Sequence, residues 1–244
     1  MSEQAVLMET PPPGDEHNVT DWFLGEVHLR YQRSDISKDD VWAYLYGVMH
    51  APDWRERYRH ELSRRLPRVP LADDFEVFRD AGAELMVLHA GYESAPEHPG
   101  VVCEVDGERI EDPPDNGAAD PAAFRIESRM RWGKDVDKSK DMTVLIVNKR
   151  CRLTGIPPEA HDYQVSGRSP LQWAVDQLKH KHDKASGITD DPNGWHAWAD
   201  EPFELIRHLR RLAFVGTETA RIVASLPPSL PDDLCSGAEE PEAS

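Results

Sequence analysis

The chain has 244 residues, 39% hydrophobic and 30% charged, with a net charge of −17 and 3 cysteines. No apolar run approaches the roughly 18 residues that mark a membrane span, and the first residues have neither the basic start nor the apolar stretch of a secretory signal. Cys103, Cys151 and Cys235 lie far apart, are odd in number and form no C-x-x-C pair, which predicts reduced thiols in a cytoplasmic protein.

The negative charge argues against nucleic-acid binding until its distribution is read. Residues 1–26 carry six acids and no base, residues 95–121 eight acids and only Arg109, and residues 232–244 five acids and no base. The rest of the chain is close to neutral and holds basic clusters. Composition therefore divides the chain into a disordered acidic tail (1–19), a folded region (20–228) and a second disordered tail (229–244). Within the folded region it separates a helical part (20–94), an acidic surface loop (95–121) and a sheet with further helices (122–228).

In chain order, Val41, Leu45, Val48 and Met49 fall at helical spacing behind Ser37, with Asp40 placed for a capping box. A second helix is expected after Pro52, with Trp54, Tyr58 and Leu62 as its stripe and Arg55 and Arg59 on an adjacent face, ending before Pro67. A third begins near Asp73 and Glu76 and buries Phe75, Phe78, Gly82, Leu85 and His89. Alternation over 124–132 predicts a strand, 133–141 a polar turn, and 143–147 a second strand. Asn148-Lys149-Arg150 turns into a third strand near Cys151-Arg152-Leu153, and 162–165 makes a short fourth. Ser169 before Pro170 starts a helix. The stretch from His182 to Trp198 reads as a loop, and a last helix spans about 202–225. Helices, then strands, then helices give an α+β fold: a helical N-terminal part packed on a small antiparallel sheet and closed by C-terminal helices.

Two ordered sets of residues resemble a known family. The first runs Trp54-Arg55-Glu56-Arg57-Tyr58, Leu66-Pro67-Arg68-Val69-Pro70, Phe75, Phe78, Gly82, Leu88-His89 and Tyr92-Glu93. The second runs Thr154-Gly155-Ile156-Pro157, Gly167-Arg168-Ser169, Leu171, Trp173, Asp183-Lys184, Ser186-Gly187-Ile188, Asp191-Pro192-Asn193 and Trp195. Together, over Trp22 to Pro227, they resemble the C-terminal specificity (target-recognition) domain of type ISP restriction–modification enzymes. In those large single-chain proteins this domain accompanies a nuclease, a helicase and an adenine methyltransferase. The resemblance implies a module that reads double-stranded DNA in phage defence, with a methyltransferase and helicase-nuclease as partner protein. An initial Met and an acidic segment at each end fit a separate subunit, a gene remnant or a family member put to another use.

The motifs of catalysis are missing. There is no Gly-rich cofactor turn with an Asn/Asp-Pro-Pro-aromatic loop, no G-x-x-x-x-G-K-[ST] and no H-E-x-x-H. His180 and His182, two apart on an expected helix, point to different sides and make no metal pair. The expectation is no catalysis, no cofactor and no metal on this chain.

Three basic groups are the candidate DNA contacts. Arg55, Arg57, Arg59, Arg64, Arg65 and Arg68 form the first; its plainer reading is a solvated helix face partnered by Glu56 and Glu61. Lys134, Lys138, Lys140, Lys149, Arg150 and Arg152 on the strand turns form the second. There Asn148 is placed to pair with adenine and the basic side chains with guanine; an ordinary polar hairpin is the alternative. Lys179, Lys181 and Lys184, with Asn193 in the next loop, form the third, and Arg168 joins through its family motif. The rival function is a protein-interaction module, or an inactive remnant that no longer reads DNA, which the net charge of −17 favours.

Overall fold

The computed structural model describes residues 18–61, 68–110 and 120–230. The expectations for residues 1–17, 111–119 and 231–244, and for Leu62, Arg64, Arg65 and Pro67, lie outside them. The chain divides into two compact units, one formed by the chain up to Met86 and again from Ser225, the other by Val87–Ala224.

The first unit is helical: α1 (Asp21–Tyr31), α2 (Lys38–His50), α3 (Pro52–Arg57) and most of α4 (Phe75–Ala90). Ser37 and Asp40 cap α2 reciprocally, as their spacing requires. The core is aromatic. Tyr44 is fully buried and stacks on Phe75 with ring centroids 4.9 Å apart. Its hydroxyl donates to Pro70 O and accepts from Ala72 N–H, both at 2.7 Å. Burial of such a ring contributes roughly 1.5–3 kcal/mol, and the two hydrogen bonds remove the cost of burying its oxygen.

Helix α3 is shorter than the apolar stripe suggested. It ends at Arg57, so Arg55 and Arg59 do not share a helix face. A six-residue helix has little stability of its own. Here it is held by Trp54, whose indole N–H donates to Arg68 O at 3.0 Å. Both tail boundaries also move. Val19 is buried in the core of this unit. Ser229 and Leu230 are buried because the Asp53 carboxylate accepts from both backbone N–H groups and the Ser229 hydroxyl, at 2.6–3.0 Å.

The second unit carries the sheet. Its strands are β1 (Val102–Val105), β2 (Glu108–Ile110), β3 (Arg131–Lys134), β4 (Lys140–Ile146) and β5 (Cys151–Thr154), antiparallel throughout, in the order β2-β1-β5-β4-β3. Then follow α5 (Pro170–Gln177), the short pair β6 (Lys181–His182) and β7 (Thr189–Asp190), and α6 (Phe203–Ala224). Leu145 and Leu153 of the sheet share one core with Leu171 of α5 and Phe203, Ile206 and Leu209 of α6. The α+β class with a small antiparallel sheet is therefore correct.

Three local expectations are corrected. The stretch read as an acidic loop contains β1 and β2. They are joined by Asp106 and Gly107, both at positive φ (54° and 91°), the chemistry of a two-residue hairpin turn. The expected strand over 124–132 is confined to Arg131–Lys134. Upstream of it, Ile126 is buried without a ladder, because Asn193 takes its backbone: Oδ1 accepts from Ile126 N–H at 2.8 Å and Nδ2 donates to Ile126 O at 2.9 Å. The expected strand at 162–165 is a short 3-10 turn at Pro158–His161 followed by a single bridge, Val165 to Arg168.

Candidate nucleic-acid interface

Strand β3 has a register shift between Trp132 and Gly133 against β4. An unbroken strand would send residues three apart to opposite faces. The shift instead leaves both Arg131 and Lys134 exposed while Trp132 and Gly133 are buried. Arg131 and Lys134 therefore flank a groove of about 350 Å³, bounded also by the β3–β4 turn and α5. Its lining includes Arg129, Arg131, Lys134, Lys138 and Lys140 and no acidic residue. The turn does carry acids, but they are turned to its own backbone. Hydrogen bonds from the Ser139 side chain and N–H to Asp137, and from the Thr143 hydroxyl and N–H to Asp141, hold both carboxyls below their usual pKa.

The floor of the groove is fixed by polar contacts. Gln172 Oε1 accepts from the Trp132 indole N–H at 2.8 Å and from Lys140 Nζ at 3.1 Å. Ser169 caps α5 by accepting from Gln172 N–H at 3.2 Å. His161 ties that cap to the sheet. Its Nε2 donates to the Met142 carbonyl at 3.1 Å, so its Nδ1 is the acceptor facing the Ser169 hydroxyl, also at 3.1 Å. Burial keeps the His161 pKa below its ordinary value, so the neutral ring is the resting form.

One rim continues into further basic side chains. Asp176 pairs with Arg168 at 2.9 Å and with Arg129 at 3.5 Å, and the Arg168 guanidinium lies 4.7 Å from the Trp173 ring centre. Arg129 also forms a backbone bridge with Lys179, and His180 N–H donates to Ser128 O at 2.7 Å. The β6–β7 hairpin, in a stretch read as loop, starts from this bridge and carries exposed Lys181 and Lys184. Helix α5 stops at Gln177, so His180 and His182 do not lie on a helix; His182 Nδ1 is 2.9 Å from Thr189 Oγ1.

The basic residues singled out from sequence thus separate. Lys134, Lys138 and Lys140 come together in the groove, and Arg168, Lys181 and Lys184 lie along its continuation. Lys149 and Arg150 lie in the β4–β5 turn and Arg152 in β5, where Ile146 stands between Arg152 and Arg131 of the groove, so those two strands are roughly 10 Å apart at about 4.8 Å per strand. There Arg150 pairs with Asp106 and Asp120 at 2.9 and 3.0 Å, and Arg152 with Glu104 at 2.6 Å; Lys149 is exposed beside them. Asn148 and Asn193 are occupied by backbone. Asn148 Nδ2 donates to Ala123 O and Arg125 O, and its Oδ1 accepts from Arg150 and Cys151 N–H, all at 2.7–2.8 Å. Arg55, Arg59 and Arg68 belong to the first unit, where Arg59 pairs with Glu56 and Arg68 is exposed. Arg129, Arg131 and Gln172 were not candidates from sequence. For Arg131 the signal lay in the register shift at Trp132-Gly133, which a regular alternation hides.

The model of the type ISP C-terminal specificity domain matches residues 3–208. The chain belongs to the type ISP specificity-domain family. Solved structures, two of them of type ISP enzymes, are similar in fold. A nuclease-deletion mutant of the type ISP restriction–modification enzyme LlaGI, in complex with a DNA substrate mimic, is 31% identical with a TM-score of 0.62, covering 80% of this chain and 14% of that one. The ATP-dependent type ISP enzyme LlaBIII bound to DNA is 26% identical with a TM-score of 0.68, covering 86% and 12%. A DrdV–DNA complex is 30% identical with a TM-score of 0.69, covering 86% and 20%. This specificity domain therefore spans a fifth or less of those chains. No curated protein matches it.

Proposed function

We propose that this chain is a double-stranded DNA recognition module of a restriction–modification system, acting in phage defence and without catalysis of its own. The observation that carries the proposal is the groove beside β3, lined by five basic side chains and no acid on a chain of net charge −17. Family membership supports it, as do the DNA complexes of LlaGI, LlaBIII and DrdV. A methyltransferase and helicase-nuclease supply the chemistry as partner protein, in the cytoplasm. Among the described residues no helix is long and apolar enough to cross a membrane. Groove lysines neutralise phosphate and release counterions, which gives affinity and register; contacts to base edges give specificity.

The test is a titration of duplex DNA at several salt concentrations. Replacing Lys134 and Lys138 together by Ala lowers the salt slope by about two units, one per charge. Replacing Arg150 and Arg152 together removes the same charge but leaves the slope nearly unchanged, because those side chains are already paired with carboxylates. Equal slopes for both double variants and the parent protein overturn the groove as the DNA surface.

A protein-interaction module is the second reading. A cleft of about 450 Å³ lined by Tyr92, Trp195, Trp198 and His208, with Trp195 half exposed, favours it.

A further inference from the structure

The orientation of the Gln172 side-chain amide is decided by its neighbours. An indole N–H and a lysine ammonium are donors only. Trp132 Nε1 and Lys140 Nζ both approach Gln172 Oε1, at 2.8 and 3.1 Å. The amide oxygen must be the atom facing them, since a flipped amide would set donor against donor twice. Both lone pairs of that oxygen are then used. The amide nitrogen keeps two N–H donors, and no protein group among the described residues accepts from them. Gln172 lines the basic groove, where the other polar side chains are Arg129, Arg131, Lys134, Lys138, Lys140 and Trp132. Each of these is also a donor only.

A glutamine that reads adenine needs its oxygen free for N6–H as well as its nitrogen for N7. In this groove that oxygen is taken. Guanine presents two acceptors in the major groove, O6 and N7; adenine presents one beside a donor, thymine one beside its methyl group, and cytosine a donor, so guanine alone meets a donor-only wall with acceptors throughout. We infer that Gln172 is a specificity-determining residue that donates from its amide nitrogen to a guanine major-groove edge, with Trp132 and Lys140 as the positioning residues that hold it in this sense. The inference rests on the DNA-reading proposal and deepens it. A phosphate oxygen is also an acceptor, so the experiment has to separate a base contact from a backbone contact.

The test is selection of duplexes from a randomised pool by the full chain, followed by affinity measurements on the selected sequence and its single-base variants. The parent protein enriches guanine at one position. Gln172→Glu keeps an oxygen for Trp132 and Lys140 but replaces the donor by an acceptor. It loses the guanine preference at that position by about tenfold, because one hydrogen bond is lost and a carboxylate oxygen then faces the guanine acceptors, and gains cytosine there. Gln172→Met is uncharged and of similar length. It flattens the preference at the same position, and it decides the question if the glutamate variant does not fold. A uniform loss of affinity across the pool, with unchanged preference, assigns Gln172 to phosphate and overturns the inference while DNA reading stands. An unchanged preference with unchanged affinity overturns it as well. Failure of the parent chain to enrich any duplex at low salt removes the inference and the DNA-reading proposal together.

Discussion

Gly47 of α2 and Gly82 of α4 meet backbone to backbone. A Cβ built on Gly82 would lie 2.7 Å from Gly47 N and inside the Ala43 carbonyl, and one built on Gly47 would collide with the Phe78 carbonyl. Neither obstacle is a flexible side-chain end, so the helices can accommodate a methyl group only by moving apart. That would loosen the stack of Tyr44 on Phe75 next to the crossing.

Gly82→Ala is accordingly expected to destabilise the protein despite the better helix propensity of alanine. Propensity favours the substitution by about 0.8–1 kcal/mol, and overpacking opposes it by about 1–3 kcal/mol or more. The expected result in urea unfolding is a net loss of about 1–2 kcal/mol. A neutral or stabilising effect would show that the crossing is looser than its geometry indicates.

Asn148 is expected to act on stability rather than on base preference. Its amide makes four hydrogen bonds to the backbone around the β4–β5 turn. At roughly 0.5–1.5 kcal/mol each, and with water replacing some of them, Asn148→Ala should cost about 2 kcal/mol. Urea unfolding measures the cost, and selection from a duplex pool should return the parent preference. An altered preference at unchanged stability would restore Asn148 as an adenine reader.

Acidification below about pH 6.5 should weaken the second unit. Burial holds the pKa of His161, and likewise of His89 and His208, below the ordinary 6.5. The unfolded chain therefore takes up these protons at a higher pH than the folded chain does. Their contribution to stability is complete above about pH 6.5 and is lost as the pH falls toward the depressed folded values. Unfolding free energy measured between pH 7.5 and 5 should fall, and His161→Gln should reduce the slope. A flat or rising profile would contradict the burial of these rings.

The acidic ends should oppose DNA. Residues 1–17 and 231–244 together carry nine acids and no base, and their charge competes with phosphate for the groove. Removing both segments should raise affinity for non-specific duplex at low salt. Equal affinity of trimmed and full chains, across ionic strengths, would show that the ends do not reach the basic surface.

The sequence by itself determined the class of fold, the caps and the family. Ser37 with Asp40 and Ser169 with Pro170 are local rules, satisfied within one turn of helix, and each is present where the spacing put it. The long apolar periodicity of α6 suffices in the same way. Asp106-Gly107 was also legible as a hairpin turn, but the surrounding acids outweighed it in a reading by composition. Tertiary structure alone decided the site. The bulge at Trp132-Gly133 turns Arg131 and Lys134 to one side, and Asp176 gathers Arg129 and Arg168 from separate segments. Conversely, Arg150 and Arg152 look as basic in sequence as Lys134 and Lys138. Only the pairing of β1 with β5 sets Glu104 directly opposite Arg152, and only the fold brings Asp106 and Asp120 to Arg150. Charge along a chain is a local property; whether a charge is available to a ligand depends on which distant group the fold has placed beside it.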